Sequence, residues 1–138
     1  MNQTQMDWAA LLGRFLLALI FLQGGIGWAG NLAGPTAAAA NAGVPLANIA
    51  VPLAMVIQIV GALMVITGFY TRLGALGLLL FTVLAIVFFH RFWEKADGAA
   101  NADRVQFFKD VALAGGLIVL GAFGPGRLSV DARRSARA

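Results

Sequence analysis

Apolar positions along the chain gather into four long runs, at about 11–29, 49–69, 73–90 and 105–123. None alternates with period two, and none shows a single narrow helical stripe; each is apolar nearly all round. A helix rises 1.5 Å per residue, and a bilayer's hydrocarbon core is about 30 Å thick, so about 20 such residues suffice to cross it. The pattern therefore predicts four transmembrane helices. Their backbone groups must be satisfied internally in lipid, which the α-helix does by itself. The expected fold class is all-α, an integral membrane four-helix bundle filling one domain over residues 1–138.

The segments between the runs set the connectivity. Phe69-Tyr70-Thr71-Arg72 is a very short turn, so helices two and three are antiparallel neighbours. Gly30–Asn48 carries no charge and holds Pro35, the run Ala37–Ala40, Gly43 and Pro45. Pro35 can open a short helix, and Gly43 with Pro45 can end one, so a short extra interfacial helix is expected between helices one and two. Arg91–Arg104 reads as the hydrophilic loop, and Gly124-Pro125-Gly126 as a strong stop. Residues 127–138 form a basic tail, expected to be disordered near its end. Trp8 and Trp28 bracket the first helix about 30 Å apart, as headgroup anchors would, although Trp28 could instead pack between helices.

Composition sharpens this. Hydrophobic residues are 60% of the chain, charged residues 12%, and the mean hydropathy is +0.84; a soluble domain of this length has too little interior to hide that much apolar surface. There is no cysteine, which excludes disulfides, thiol chemistry and iron–sulfur ligation. The net charge of +4 does not indicate nucleic acid, because the basic residues lie at helix ends and in the tail. No Lys or Arg precedes the first run, and Arg14 lies inside it, which favours a retained helix over a cleaved signal. Arg14, Arg72, Arg127, Arg133, Arg134 and Arg137 would share one side, against Arg91, Lys95, Arg104 and Lys109 on the other. Positive residues favour the cytoplasm, so a bacterial-type inner membrane with both termini cytoplasmic is expected.

Small residues allow helices to approach closely in lipid. Gly24, Gly25, Gly27, Gly61, Gly74, Gly77, Ala112, Gly115 and Gly116 are the expected seams. Polar groups within the spans need partners or a function. Arg14 can snorkel or reach inward. Gln58, mid-helix, cannot snorkel and must bond another helix or a ligand. His90, Arg91, Lys109 and Asp110 fall at one depth near the outer ends of helices three and four, with Gln23 close by. They make either a solvated charge belt or a site, in which Asp110 could orient His90 or pair with Arg91. A histidine beside a carboxylate can shuttle protons, which makes His90 and Asp110 the catalytic candidates. Ligand-binding candidates are Arg14, Gln23, Gln58, His90, Arg91, Lys109 and Asp110. One histidine with one aspartate is too thin for a metal site.

Several stretches together resemble the DoxX family of small four-helix membrane proteins. They are Gly13-Arg14-Phe15-Leu16-Leu17, Phe21-Leu22-Gln23-Gly24-Gly25 and Ala42-Gly43-Val44-Pro45; then Gly61-Ala62, Thr67 to Arg72 and Phe89-His90-Arg91-Phe92-Trp93; and finally Phe107 to Gly116 and Gly124 to Asp131. The resemblance implies a four-helix bundle similar to that of quinone-handling membrane reductases, without their cysteines. It implies, for some members, association with a thiosulfate:quinone oxidoreductase or with redox-stress assemblies. Relative to the family pattern, Trp28 replaces a basic residue, Gln58 replaces a glutamate and Asp110 an asparagine. Gln58 cannot take a proton, which favours an accessory protein that binds a quinone or lipid, with no covalent cofactor. The alternative is a quinone-linked oxidoreductase subunit using His90 and Asp110 for proton transfer and Arg14 as an anion anchor. A redox-complex partner or a second copy of the chain is the expected protein partner, and membrane lipid the surrounding one. Neither paired broken helices nor an inverted repeat points to a transporter.

Overall fold

A computed structural model describes residues 1–95 and 97–137, the side chains of Asp97 and Ala99 aside. Its helices are α1 (Gln3–Ala29), α2 (Ala33–Asn41), α3 (Ala47–Thr67), α4 (Thr71–Phe89), α5 (Asp97–Phe123) and α6 (Val130–Ser135), with a 3₁₀ turn at Phe92–Glu94. No strand occurs among the described residues. Four of the helices are long and apolar enough to cross a membrane. At most 28% of any span's most apolar window is buried, so the outward Leu, Ile, Val and Phe side chains face hydrocarbon rather than a protein core.

Two helices begin earlier than the apolar pattern indicates. α1 starts at Gln3 because Asn2 and Gln5 form a reciprocal capping box, each side chain accepting from the other's backbone N–H at 2.9 Å. α5 starts at Asp97, so most of the expected hydrophilic loop at 91–104 is helix. The 3₁₀ turn folds back on it: Phe92 and Trp93 meet Phe107 edge-on at 5.4 and 5.9 Å, and Lys95 pairs with Asp103. Between the first two spans, α2 forms where Pro35 and the alanine run place it.

α1 packs along α3, α3 along α4 and α4 along α5, whereas α1 and α5 touch little. Small residues set the close crossings. A Cβ on Gly74 would stand 3.0 Å from the Gly61 carbonyl and 2.9 Å from Met64 Cβ; one on Gly25 would stand 2.6 Å from Ile59. Gly116 receives Leu17 of α1, whose Cδ1 would stand 3.1 Å from an added Cβ. The core between them is Ala18, Phe21, Ala62, Val65, Ala75, Leu78, Leu117 and Leu120. A smaller cluster of Ala39, Ala47 and Val51, backed by Trp28 and Phe89, docks α2.

The described part of the tail, through residue 137, folds back on the bundle and carries the short helix α6, while the last residue, where disorder was expected, lies outside the described residues. Ser129 caps α6 by accepting from Ala132 N–H. Asp131 then reaches back to α4, whose first turn has no cap of its own. Its carboxylate accepts from the Tyr70 and Thr71 N–H groups at 2.9 Å each and from Thr71 Oγ1 at 2.8 Å, and its own N–H donates to Gly68 O at 2.8 Å. Orphan N–H groups at a helix start favour a carboxylate, and here it comes from 60 residues downstream. Burial pushes the Asp131 carboxyl up, but the bonds from Thr71 and Tyr70, with Arg134 nearby, outweigh it and hold it below the usual carboxylate range. Arg14, only 3% exposed, donates from Nη2 to Leu128 O at 2.6 Å. A disordered tail would leave that guanidinium without this acceptor, in lipid.

Candidate functional site

Because α1 and α5 part company beyond Leu17 and Gly116, the half of the bundle nearer α2 is not filled. A cavity of about 590 Å³ lies there, walled by α1, α3, α4 and α5 and covered by α2. Sites of roughly 300–1,000 Å³ hold small lipophilic molecules. The walls are mostly apolar, with Phe21, Trp28, Val51, Ala54, Phe81 and Leu113 prominent. Phe81 is held edge-on by Phe21 at 6.2 Å and Trp28 at 6.3 Å, which fixes one wall. Trp28 is thus partly buried between helices, while Trp8 remains 61% exposed.

The polar groups lining the cavity are Gln23, Gln58, His90, Lys109 and Asp110. Gln58 is 4% exposed, and its Nε2 is buried without a hydrogen-bond partner. Gly24 opposes it: a Cβ there would stand 2.8 Å from Gln58 Oε1, so the amide occupies space that only glycine leaves. A buried amide donor without an acceptor costs about 1–3 kcal/mol, which a ligand acceptor would recover.

Toward α2, Asp110 is 5% exposed and stands between His90 and Lys109. Its Oδ2 is 3.5 Å from His90 Nε2 and its Oδ1 is 3.4 Å from Lys109 Nζ. Both distances lie beyond the ordinary range of N–H···O hydrogen bonds. His90 sits at the C-terminus of α4, where its Nδ1 is also buried without a partner.

Of the candidates read from sequence, Gln23, Gln58, His90, Lys109 and Asp110 therefore converge on one space. Arg14 and Arg91 do not. Arg14 lies at the opposite end of the bundle, under the tail. Arg91 turns away and pairs with Glu94 at 3.2 Å, leaving Asp110 to His90 and Lys109. The sequence did not single out Phe81 or the α2 alanines as walls, and it marked Gly24 only as a seam. Phe81 looks like any lipid-facing phenylalanine until its neighbours are known. No group of three or more potential metal-ligating side chains occurs among the described residues.

A family model described as DoxX matches residues 9–91. The chain is 29% identical to the inner membrane protein YphA of Escherichia coli (strain K12) over 123 residues, 89% of this chain and 88% of that one. It is 30% identical to the inner membrane protein YqjF of the same organism over 125 residues, 91% of each. No solved structure matches.

Proposed function

The chain belongs to the DoxX family and is a small inner-membrane protein, and from that premise we propose that it holds a lipophilic ligand, a quinone or a lipid, beside Gln58 as an accessory component of a membrane redox system. The observation that carries this is the buried, unpartnered Gln58 Nε2 at the wall of a largely apolar cavity. The apolar walls take the ligand's hydrocarbon. Gln58 donates to a carbonyl or ester oxygen, while Lys109 and His90 stand ready at the α2 end for a second acceptor. The redox setting rests on the family resemblance alone.

The test is to purify the protein without exchanging its lipids and to extract what comes with it. A stoichiometric amphiphile is expected from the natural sequence. It should be depleted in an Ala54→Phe/Leu84→Trp variant, whose added side chains fill the space. Equal retention by both proteins, or an empty natural protein, would refute the proposal.

A second reading is favoured by the approach of His90 to Asp110. With a quinone in the cavity, the pair would deliver protons as an external reductant, held by a partner, supplied electrons. His90→Ala would then lower quinol formation by the assembled complex without loss of helix. Unchanged turnover would dispose of that version. In the proposed topology both termini are cytoplasmic and the α2 end, with the cavity's polar rim, faces outward; tags on the two termini should be labelled from the same side. Protein partners, a redox subunit or a second copy, belong to the same proposal.

A further inference from the structure

The other end of the bundle carries a second depression, of about 600 Å³, between the α3–α4 turn and α6. It owes nothing to the cavity beside Gln58. Two arginines line it, Arg72 and Arg134, together with the Tyr70 and Ser135 side chains. Asp131 also lines it, but its carboxylate oxygens are already committed to Tyr70 N–H, Thr71 N–H and Thr71 Oγ1. Neither arginine takes part in an ion pair among the described residues. Arg72 reaches one acceptor, the Ala122 carbonyl, at 3.5 Å.

Arg134 is oriented by aromatic rings. Its Cζ lies 5.0 Å from the Tyr70 ring centroid and 5.3 Å from that of Phe69. A guanidinium drawn to ring faces in this way keeps N–H groups available to an oxyanion. The rings immediately precede a membrane span, a position where aromatic side chains favour the headgroup zone. Leu73, which also lines the depression, begins a row of exposed side chains on one face of α4: Leu73, Leu76, Leu80, Val83 and Val87. A polar cradle thus runs directly into an apolar track along α4.

We infer that this depression binds the phosphate of an anionic glycerophospholipid, with an acyl chain laid along the α4 row. Phosphate matches paired guanidinium donors, and Ser135 adds a hydroxyl. Among the described lining residues the one carboxylate, Asp131, is engaged by Tyr70 and Thr71, which leaves two arginines against it to favour an anionic over a zwitterionic head. The chain track distinguishes a lipid from free phosphate.

The full chain in phosphatidylcholine nanodiscs doped with phosphatidylglycerol provides the test, read by native mass spectrometry of retained lipid. Phosphatidylglycerol should be retained over phosphatidylcholine, and Arg72→Gln/Arg134→Gln should lower that preference by about tenfold or more. Arg91→Gln/Lys95→Gln removes the same charge at the far end of the bundle and should leave the preference unchanged. Arg134→Lys, which keeps the charge but not the planar fork, should weaken it while preserving the fold. Equal retention of the two lipids, equal loss in the far-end variant, or displacement of the lipid by millimolar inorganic phosphate would overturn the inference.

Discussion

Gly68 ends α3 with φ at +71°, and a Cβ there would stand 2.9 Å from the Ser129 Cα and run into the Arg14 guanidinium. Both the left-handed backbone and the packed tail demand glycine. Gly68→Ala should cost about 2–4 kcal/mol, the sum of the backbone penalty and overpacking, seen as a lowered Tm in detergent. Asp131 makes a pH prediction. Its pKa is lowered in the folded protein, so the ionised form stabilises the docked tail above the ordinary value of 3.8. That contribution should fall as pH drops below 3.8 and vanish once the carboxyl is protonated in the folded state too. The protection of the Tyr70 and Thr71 amides from exchange, relative to the intrinsic rate at each pH, should fall over that range in the natural protein, and Asp131→Asn should abolish that fall. At this scale Gln58 was legible as a polar residue with nowhere to snorkel. Its facing glycine was not, because sequence spacing within one helix does not reveal what stands opposite.

Among the elements, the α3–α4 pair shows how glycines replace the hydrophobic effect in lipid. Gly61 and Gly74 bring the two backbones together, so Gly74→Val should destabilise the bundle by about 1–3 kcal/mol through overpacking. Thermal unfolding measures this, and Gly115→Val, whose added Cβ meets nothing within 4 Å, is the matched control and should change little. The spans themselves were readable because bilayer thickness imposes a length on every apolar run. The 91–104 segment and the tail were not, since both are polar enough for loops and their helices depend on contacts made elsewhere. Phe107 holds the first through Phe92 and Trp93; the bare N-terminus of α4 holds the second. Removal of residues 127–138 should therefore lower the Tm of the whole bundle, rather than trimming a passive appendage.

For the whole molecule, the consequential feature is uneven closure. The tail clamps one end, where Ala10 lies against Gly126 and Leu17 against Gly116. At the α2 end, α1 and α5 diverge around the cavity. The chain has no cysteine, which permits clean spin-label pairs. Labels at Gln23→Cys and Leu113→Cys should give a distance distribution that narrows when the cavity is occupied. Labels at Ala10→Cys and Phe123→Cys, at the clamped end, should not respond. Similar narrowing at both ends would show that the bundle moves as a unit, and no narrowing would deny the cavity a ligand-dependent opening.

What the sequence determined alone is the medium and the element plan: four spans, a short helix between the first two, and glycine seams at Gly25, Gly61, Gly74 and Gly116, but not at Gly27 or Gly115, where an added Cβ meets nothing within 4 Å. Hydrocarbon imposes those requirements locally, residue by residue, so a one-dimensional pattern records them. Tertiary structure decided which polar groups share a space, sending Arg14 beneath the tail, Arg91 to Glu94, and Gln58, His90, Lys109 and Asp110 to one cavity. That outcome depends on helix rotation and on the distance between α1 and α5, quantities that an apolar run carries no record of.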